Sequence, residues 1–184
     1  MNEYNQERFK KEDETKDLVY FLESYQNATG NKLQLLEASE RPDFICEYSN
    51  GLKVGVELTM ITRHPKARFW DRILEKREFM KAEEALELIQ LQSVEKDNKR
   101  AEKDWTFSKK TILVIQPKDI SLSKLKPFLQ VENFPDLYST KFKEIWLGDY
   151  SEVKAYNSIN TFCLKPKKNF GFFHRSNPYQ KPFG

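Results

Sequence analysis

The chain is poor in the residues that build ready-made sites. It has two cysteines, Cys46 and Cys163, both inside apolar segments, which argues against a disulfide framework or a cysteine-rich zinc site and for reduced core thiols. Its two histidines, His64 and His174, stand in unlike contexts without a ligand spacing such as HxxxH, which argues against a histidine zinc site. Its six glycines are scattered. They form neither a phosphate-cradling loop nor a GxSxG elbow, so Walker-type nucleotide hydrolysis and α/β-hydrolase chemistry are disfavoured. No apolar run approaches the roughly 20 residues of a membrane helix, and MNEYNQERFKKEDE at the start has no apolar stretch suited to a signal peptide. The expectation is a cytoplasmic protein with no membrane partner.

What is present is core material in a polar background. Among 184 residues are 14 Phe, 8 Tyr and 3 Trp, with 39% hydrophobic and 32% charged residues and a mean hydropathy of −0.75. That is enough to fold as one domain without cross-links and to rule out wholesale disorder. The net charge of +3 is too mild to imply nucleic acid by itself, so its distribution matters more. Residues 1–17 hold four Lys/Arg against six Asp/Glu, whereas residues 165–184 hold five Lys/Arg and no acid.

Periodicity orders the elements. Leu18, Phe21, Leu22 and Tyr25 fall on one face of a helix within ETKDLVYFLESYQ, which Gly30 and Asn31 end. KLQLLEA predicts a strand, and DFICEYS and LKVGVELTM flank Asn50-Gly51, a dipeptide that tolerates positive φ at both central positions of a hairpin turn. Ala67 to Trp105 contains no Pro or Gly and is rich in helix formers. A single helix of that length would span about 58 Å, so two packed helices are expected. TILVIQP predicts a strand buried on both faces, SLSKLKPFL a short helix, and KEIWLGD and NTFCLKP two further strands. No sustained periodicity follows.

The chemistry is concentrated between Arg41 and Thr59. Alternation along the second hairpin strand sends Val54, Val56 and Leu58 to one face and Gly55, Glu57 and Thr59 to the other. Glu57 is thus a carboxylate in mid-strand, and Asp43 stands at the start of the antiparallel partner. Two converging carboxylates, completed by water and substrate phosphate, meet the needs of Mg²⁺. The plainer reading takes Asp43 as a turn cap and Glu57 as a solvent-facing residue paired with Lys53.

Pro42-Asp43, the hairpin and Glu57 resemble the PD-(D/E)xK nuclease superfamily. The resemblance implies a restriction-endonuclease-like α/β fold with a mixed central sheet flanked by helices. It further implies Mg (or Mn) held by Asp43 and Glu57, and hydrolysis of phosphodiester bonds in DNA or RNA. The superfamily's strand lysine would fall at position 59, which is Thr here. Branches with Glu-x-Thr take that lysine from the following helix, and a cation need only reach the right point beside the attacking water. Lys96, Lys99 and Lys103 are the candidates, with Lys99 and Lys103 preferred as an i, i+4 pair on one face. An assisting acid on the first helix is also implied. Glu14, which extends the apolar stripe, is favoured over Glu23, which is rotated off it.

The expected organisation is a nuclease-like α/β domain over residues 1–165 and a basic, aromatic tail over 166–184. The tail's Lys167, Lys168, Arg175 and Lys181 alternate with Phe170, Phe172, Phe173, Tyr179 and Phe183, a composition suited to phosphate contact and base stacking or to packing back on the domain. Two rivals stand beside the enzyme: an inactive module of the same fold that binds nucleic acid or protein, and a homo-oligomer docked through the tail.

Overall fold

The computed structural model describes residues 3–62, 80–102, 105, 110–151 and 153–173. Helix α1 (Glu3–Thr29) is longer than the apolar stripe alone predicts and ends as expected, with Gly30 at φ +73° donating its N–H to Gln26 O at 2.8 Å. A left-handed residue past a helix end satisfies a carbonyl that has no partner within the helix, and glycine adopts that conformation without strain.

Strands β1 (Leu33–Ala38), β2 (Phe44–Tyr48) and β3 (Lys53–Ile61) follow as an antiparallel meander. The β2–β3 hairpin forms where Asn50-Gly51 predicts it, but with a three-residue loop. Gly51 N–H donates to Tyr48 O, Tyr48 N–H donates to Leu52 O, both at 2.9 Å, and of the two dipeptide residues only Gly51 has positive φ, at +80°. This is the turn-plus-glycine-bulge solution. It leaves Asn50 free to accept Leu52 N–H through Oδ1 at 3.1 Å.

Helix α2 (Ala82–Glu102) lies within the predicted helical stretch, whose first part, residues 67–79, lies outside the described residues. Strand β4 (Thr111–Pro117) is buried at all seven positions, as a continuous apolar run requires. The short helix α3 (Leu122–Leu125) and single 3₁₀ turns lead to β5 (Glu144–Asp149). Helix α4 (Val153–Tyr156), β6 (Asn160–Lys165) and β7 (Gly171–Phe173) complete the described chain. Strand β7 has only three residues, too few to show a period.

The result is mixed α/β. Seven strands form one sheet in sequence order, parallel at β3–β4 and β4–β5 and antiparallel elsewhere. Parallel neighbours need a crossover, and α2 and the α3 region supply one each. Each face has its own core. Leu18, Phe21 and Tyr25 of α1 pack on Val54, Val56, Leu58, Ile112, Val114 and Trp146, while Ala85 and Ile89 of α2 pack on Leu113, Ile115 and Leu147 of the opposite face. Burial of Leu18 and Phe21 stabilises the α1 docking by about 1.5–3 kcal/mol per side chain. Both cysteines are free and buried, and burial raises both thiols, Cys46 to about 12. No helix of the described residues is long and apolar enough to cross a membrane.

Candidate functional site

The site begins with strand register. Phe44 of β2 pairs with Val56 of β3, so Asp43, one residue before β2, comes opposite Glu57. Directly opposed residues of an antiparallel pair share a face. Pro42 holds this corner by lying on Gly55, where a Cβ would overlap the Pro42 ring and sit 3.0 Å from Thr111 Oγ1. Only glycine fits that position.

The two acids are interlocked through the backbone. Asp43 N–H donates to Glu57 Oε2 at 3.1 Å, and Leu58 N–H donates to Asp43 Oδ2 at 2.8 Å. The second bond occupies an outward-facing β3 amide just where β2 stops. Asp43 Oδ1 accepts no hydrogen bond from the described residues.

Alternation along β3 puts Glu57 on the α2 face, and α2 meets it with a cation. Lys96 Nζ donates to Glu57 Oε1 at 2.5 Å. Glu57 is only 3% exposed, so the solvent-facing reading of this residue does not hold. Burial, then the neighbouring Asp43 charge, push its carboxyl up to about 7, against the opposing pull of Lys96. Thr59, at the position where the resemblance would place lysine, makes a long 3.5 Å contact to Gln92 Oε1, and Gln92 Nε2 donates to Glu95 Oε2 at 3.1 Å.

The lysine at the acids is therefore Lys96, not the preferred Lys99. Buried Ala85, Ile89, Ser93 and Arg100 define the inward stripe of α2, and Lys96 is in phase with it. Lys99 is exposed, rotated by roughly 60° from Lys96 about the helix axis. Lys103 lies outside the described residues, as do His64 and His174. Glu14 is half-buried on α1 and 3.7 Å from Lys11. It is not gathered with Asp43 and Glu57, since no group of three or more His, Cys, Asp or Glu that could hold a metal occurs among the described residues.

Lys11 is a member of the site that sequence reasoning missed. Its Nζ donates to Ser39 O at 2.8 Å and to Asp43 O at 3.0 Å and lies 4.6 Å from the centre of the Phe44 ring, tying α1 to the segment that carries Asp43. The signal was present, because Lys11, Glu14, Leu18, Phe21 and Tyr25 follow one helical stripe.

The start of the C-terminal segment packs back on the domain. Lys167 Nζ lies 4.6 Å from the Tyr138 ring centre, Phe170 meets Phe162 edge-on at 4.9 Å, and β7 pairs with β6. Residues 174–184, with Arg175, Tyr179, Lys181 and Phe183, lie outside the described residues.

Chemically, the site offers two carboxylates on one face, one with an open oxygen and the other neutralised by a single ammonium. Such a donor pair suits a hard divalent ion that keeps most of its waters, with Asp43 and Glu57 as the residues that could hold it. No family model, curated protein or solved structure matches this chain.

Proposed function

We propose that this chain is a metal-dependent nuclease-like protein of restriction-endonuclease-like fold that hydrolyses phosphodiester bonds in nucleic acid. The observation that carries the reading is the Asp43–Glu57 pair, cross-bonded on adjacent hairpin strands and approached by Lys96 from the next helix. Asp43 and Glu57 would hold Mg²⁺ or Mn²⁺, which supplies charge neutralisation at phosphate and an acidified water. Lys96 would stand beside the attacking water, and Lys11, with Glu14 behind it, would keep Asp43 in place. The test is incubation of the protein with single- and double-stranded DNA and RNA in Mg²⁺ or Mn²⁺. Cleavage that disappears in Glu57→Gln is expected, and wild-type protein inert on every substrate would refute the activity.

A second reading keeps the fold without the chemistry: an inactive module that binds nucleic acid or a protein. It is favoured by the near-complete enclosure of Glu57 and the absence of a third acid at the site among the described residues. Here binding without cleavage is expected. Truncation after residue 173, which keeps β7 in the sheet, should flatten the salt dependence of binding by about one log-log unit per lost phosphate contact if the tail takes part. A fall in solution mass on the same truncation would instead identify the tail as an oligomer contact.

A further inference from the structure

We infer that the Lys96 ammonium stands in for the divalent cation at Glu57, so that metal and lysine compete for the same carboxylate oxygen. The inference rests on the metal-site reading above. Glu57 has two oxygens, and Oε2 is engaged by the Asp43 N–H. Oε1, the oxygen that carries no backbone hydrogen bond, is where Lys96 Nζ sits, at 2.5 Å. An ammonium and a hydrated divalent ion cannot both make their shortest contact with one enclosed oxygen. Entry of a metal at Glu57 is therefore opposed by the ammonium on Oε1 and favoured by its departure.

The surroundings give the displaced ammonium a place to go. Gln92 lies one helical turn before Lys96 on α2, and its Oε1 faces the Thr59 hydroxyl at 3.5 Å, a contact too long to engage that oxygen fully. The Lys96 side chain is 22% exposed, against 5% for that of Glu57, so the lysine can turn toward Gln92 and solvent while the acid stays fixed. In the metal-free protein the lysine pairs with Glu57 and offsets its repulsion from Asp43. In the loaded protein the same lysine is released next to the metal's water, where a cation is useful to the chemistry.

The inference makes an uncommon demand, that deleting a residue needed for cleavage should improve metal binding. Mn²⁺ affinity of the full chain is measured by titration calorimetry at alkaline pH for wild type, Lys96→Met, Lys96→Arg and, as a remote charge control, Lys53→Met. Lys96→Met is expected to bind Mn²⁺ about tenfold tighter or more, because a like charge is removed from the ligand shell. Lys96→Arg, which keeps the cation and forks onto carboxylates, should bind no tighter than wild type, and Lys53→Met should match it. Binding by wild type with equal or weaker binding by Lys96→Met overturns the competition but leaves the metal site standing. Should Lys96→Met fail to fold, tighter binding by Lys96→Arg than by wild type would be the overturning result. No Mn²⁺ binding by any folded variant removes both the competition and the site.

Discussion

Glu57 of β3 and Glu144 of β5 are two glutamates of one sheet, 3% and 8% exposed, and they are held in opposite ways. Glu144 is surrounded by neutral donors: Tyr25 O–H donates to its Oε1 at 3.1 Å and Trp146 Nε1–H to its Oε2 at 2.9 Å, with Lys143 at 3.8 Å. Glu57 faces another carboxylate and accepts from one lysine and the Asp43 N–H. The first arrangement is what a buried acid needs to be structural, since each oxygen that leaves water finds a donor. The second leaves like charges together, and burial first, then the Asp43 charge, raise its carboxyl to about 7. Equal burial therefore does not mean equal surroundings, and the identity of the partners distinguishes the two acids.

The largest expected effect separates the two on activity. Glu57→Gln should lower Mg²⁺-dependent cleavage by more than about 100-fold, beyond the effect of losing an outer-shell partner, while Glu144→Gln should leave it unchanged. A nuclease assay on both proteins decides; equal losses would erase the distinction. The next effect inverts the order. Glu144→Ala removes the acceptor of Trp146 N–H and one of the partners of Tyr25 O–H, which keeps the Tyr48 hydroxyl at 3.2 Å, so urea unfolding should show a loss of roughly 1–3 kcal/mol.

Gly55→Ala tests the corner that creates the reactive pair. The added methyl meets the Pro42 ring, and relief by displacement of Pro42 moves Asp43 with it. Stability should fall by about 1–3 kcal/mol, an overpacking cost, and Mn²⁺ binding should weaken even though no acid has been changed.

The smallest effect is a pH slope. Because the folded-state pKa of Glu57 is raised from 4.5 to about 7, the native state holds this proton more tightly than the unfolded chain does. Its contribution is present at low pH and lost as pH rises from the ordinary carboxylate range to about 7. Glu57→Gln removes this dependence. Relative to wild type it should therefore gain stability across that window, by on the order of 1–2 kcal/mol after allowing for the lost attraction to Lys96. Denaturant midpoints at a series of pH values check it; parallel curves would show that Glu57 titrates normally.

Much of the local structure was legible because it depends on near neighbours in the chain. The buried strand β4, the hairpin location and the face of β3 that carries Glu57 follow from hydrophobic runs, turn chemistry and the two-residue period of a strand. The hairpin loop was read correctly in place and differently in form, since the choice between turn types depends on strand twist and on one bulge residue, Gly51. The short β7 was invisible because its pairing with β6 is the only thing that makes it a strand.

By itself the sequence determined that one sheet face would carry an acid, that Asp43 would open the partner strand, and that a lysine-rich helix would come next. These are consequences of register and period, which act over a few residues. Tertiary structure alone decided that Glu57 is enclosed and that Lys96, 39 positions away, is its partner. It likewise brought Lys11 to the Asp43 carbonyl, 32 positions away, and Tyr25 to Glu144, 119 positions away. Such contacts depend on how helices seat on the two faces of the sheet, and a rotation of roughly 60° about α2 is enough to separate Lys96 from Lys99. That seating is set by the packing of Ala85 and Ile89 on one face and of Leu18, Phe21 and Tyr25 on the other. The residue types at the site were thus written in the local sequence, while their electrostatic coupling arose only when the two cores closed around the sheet.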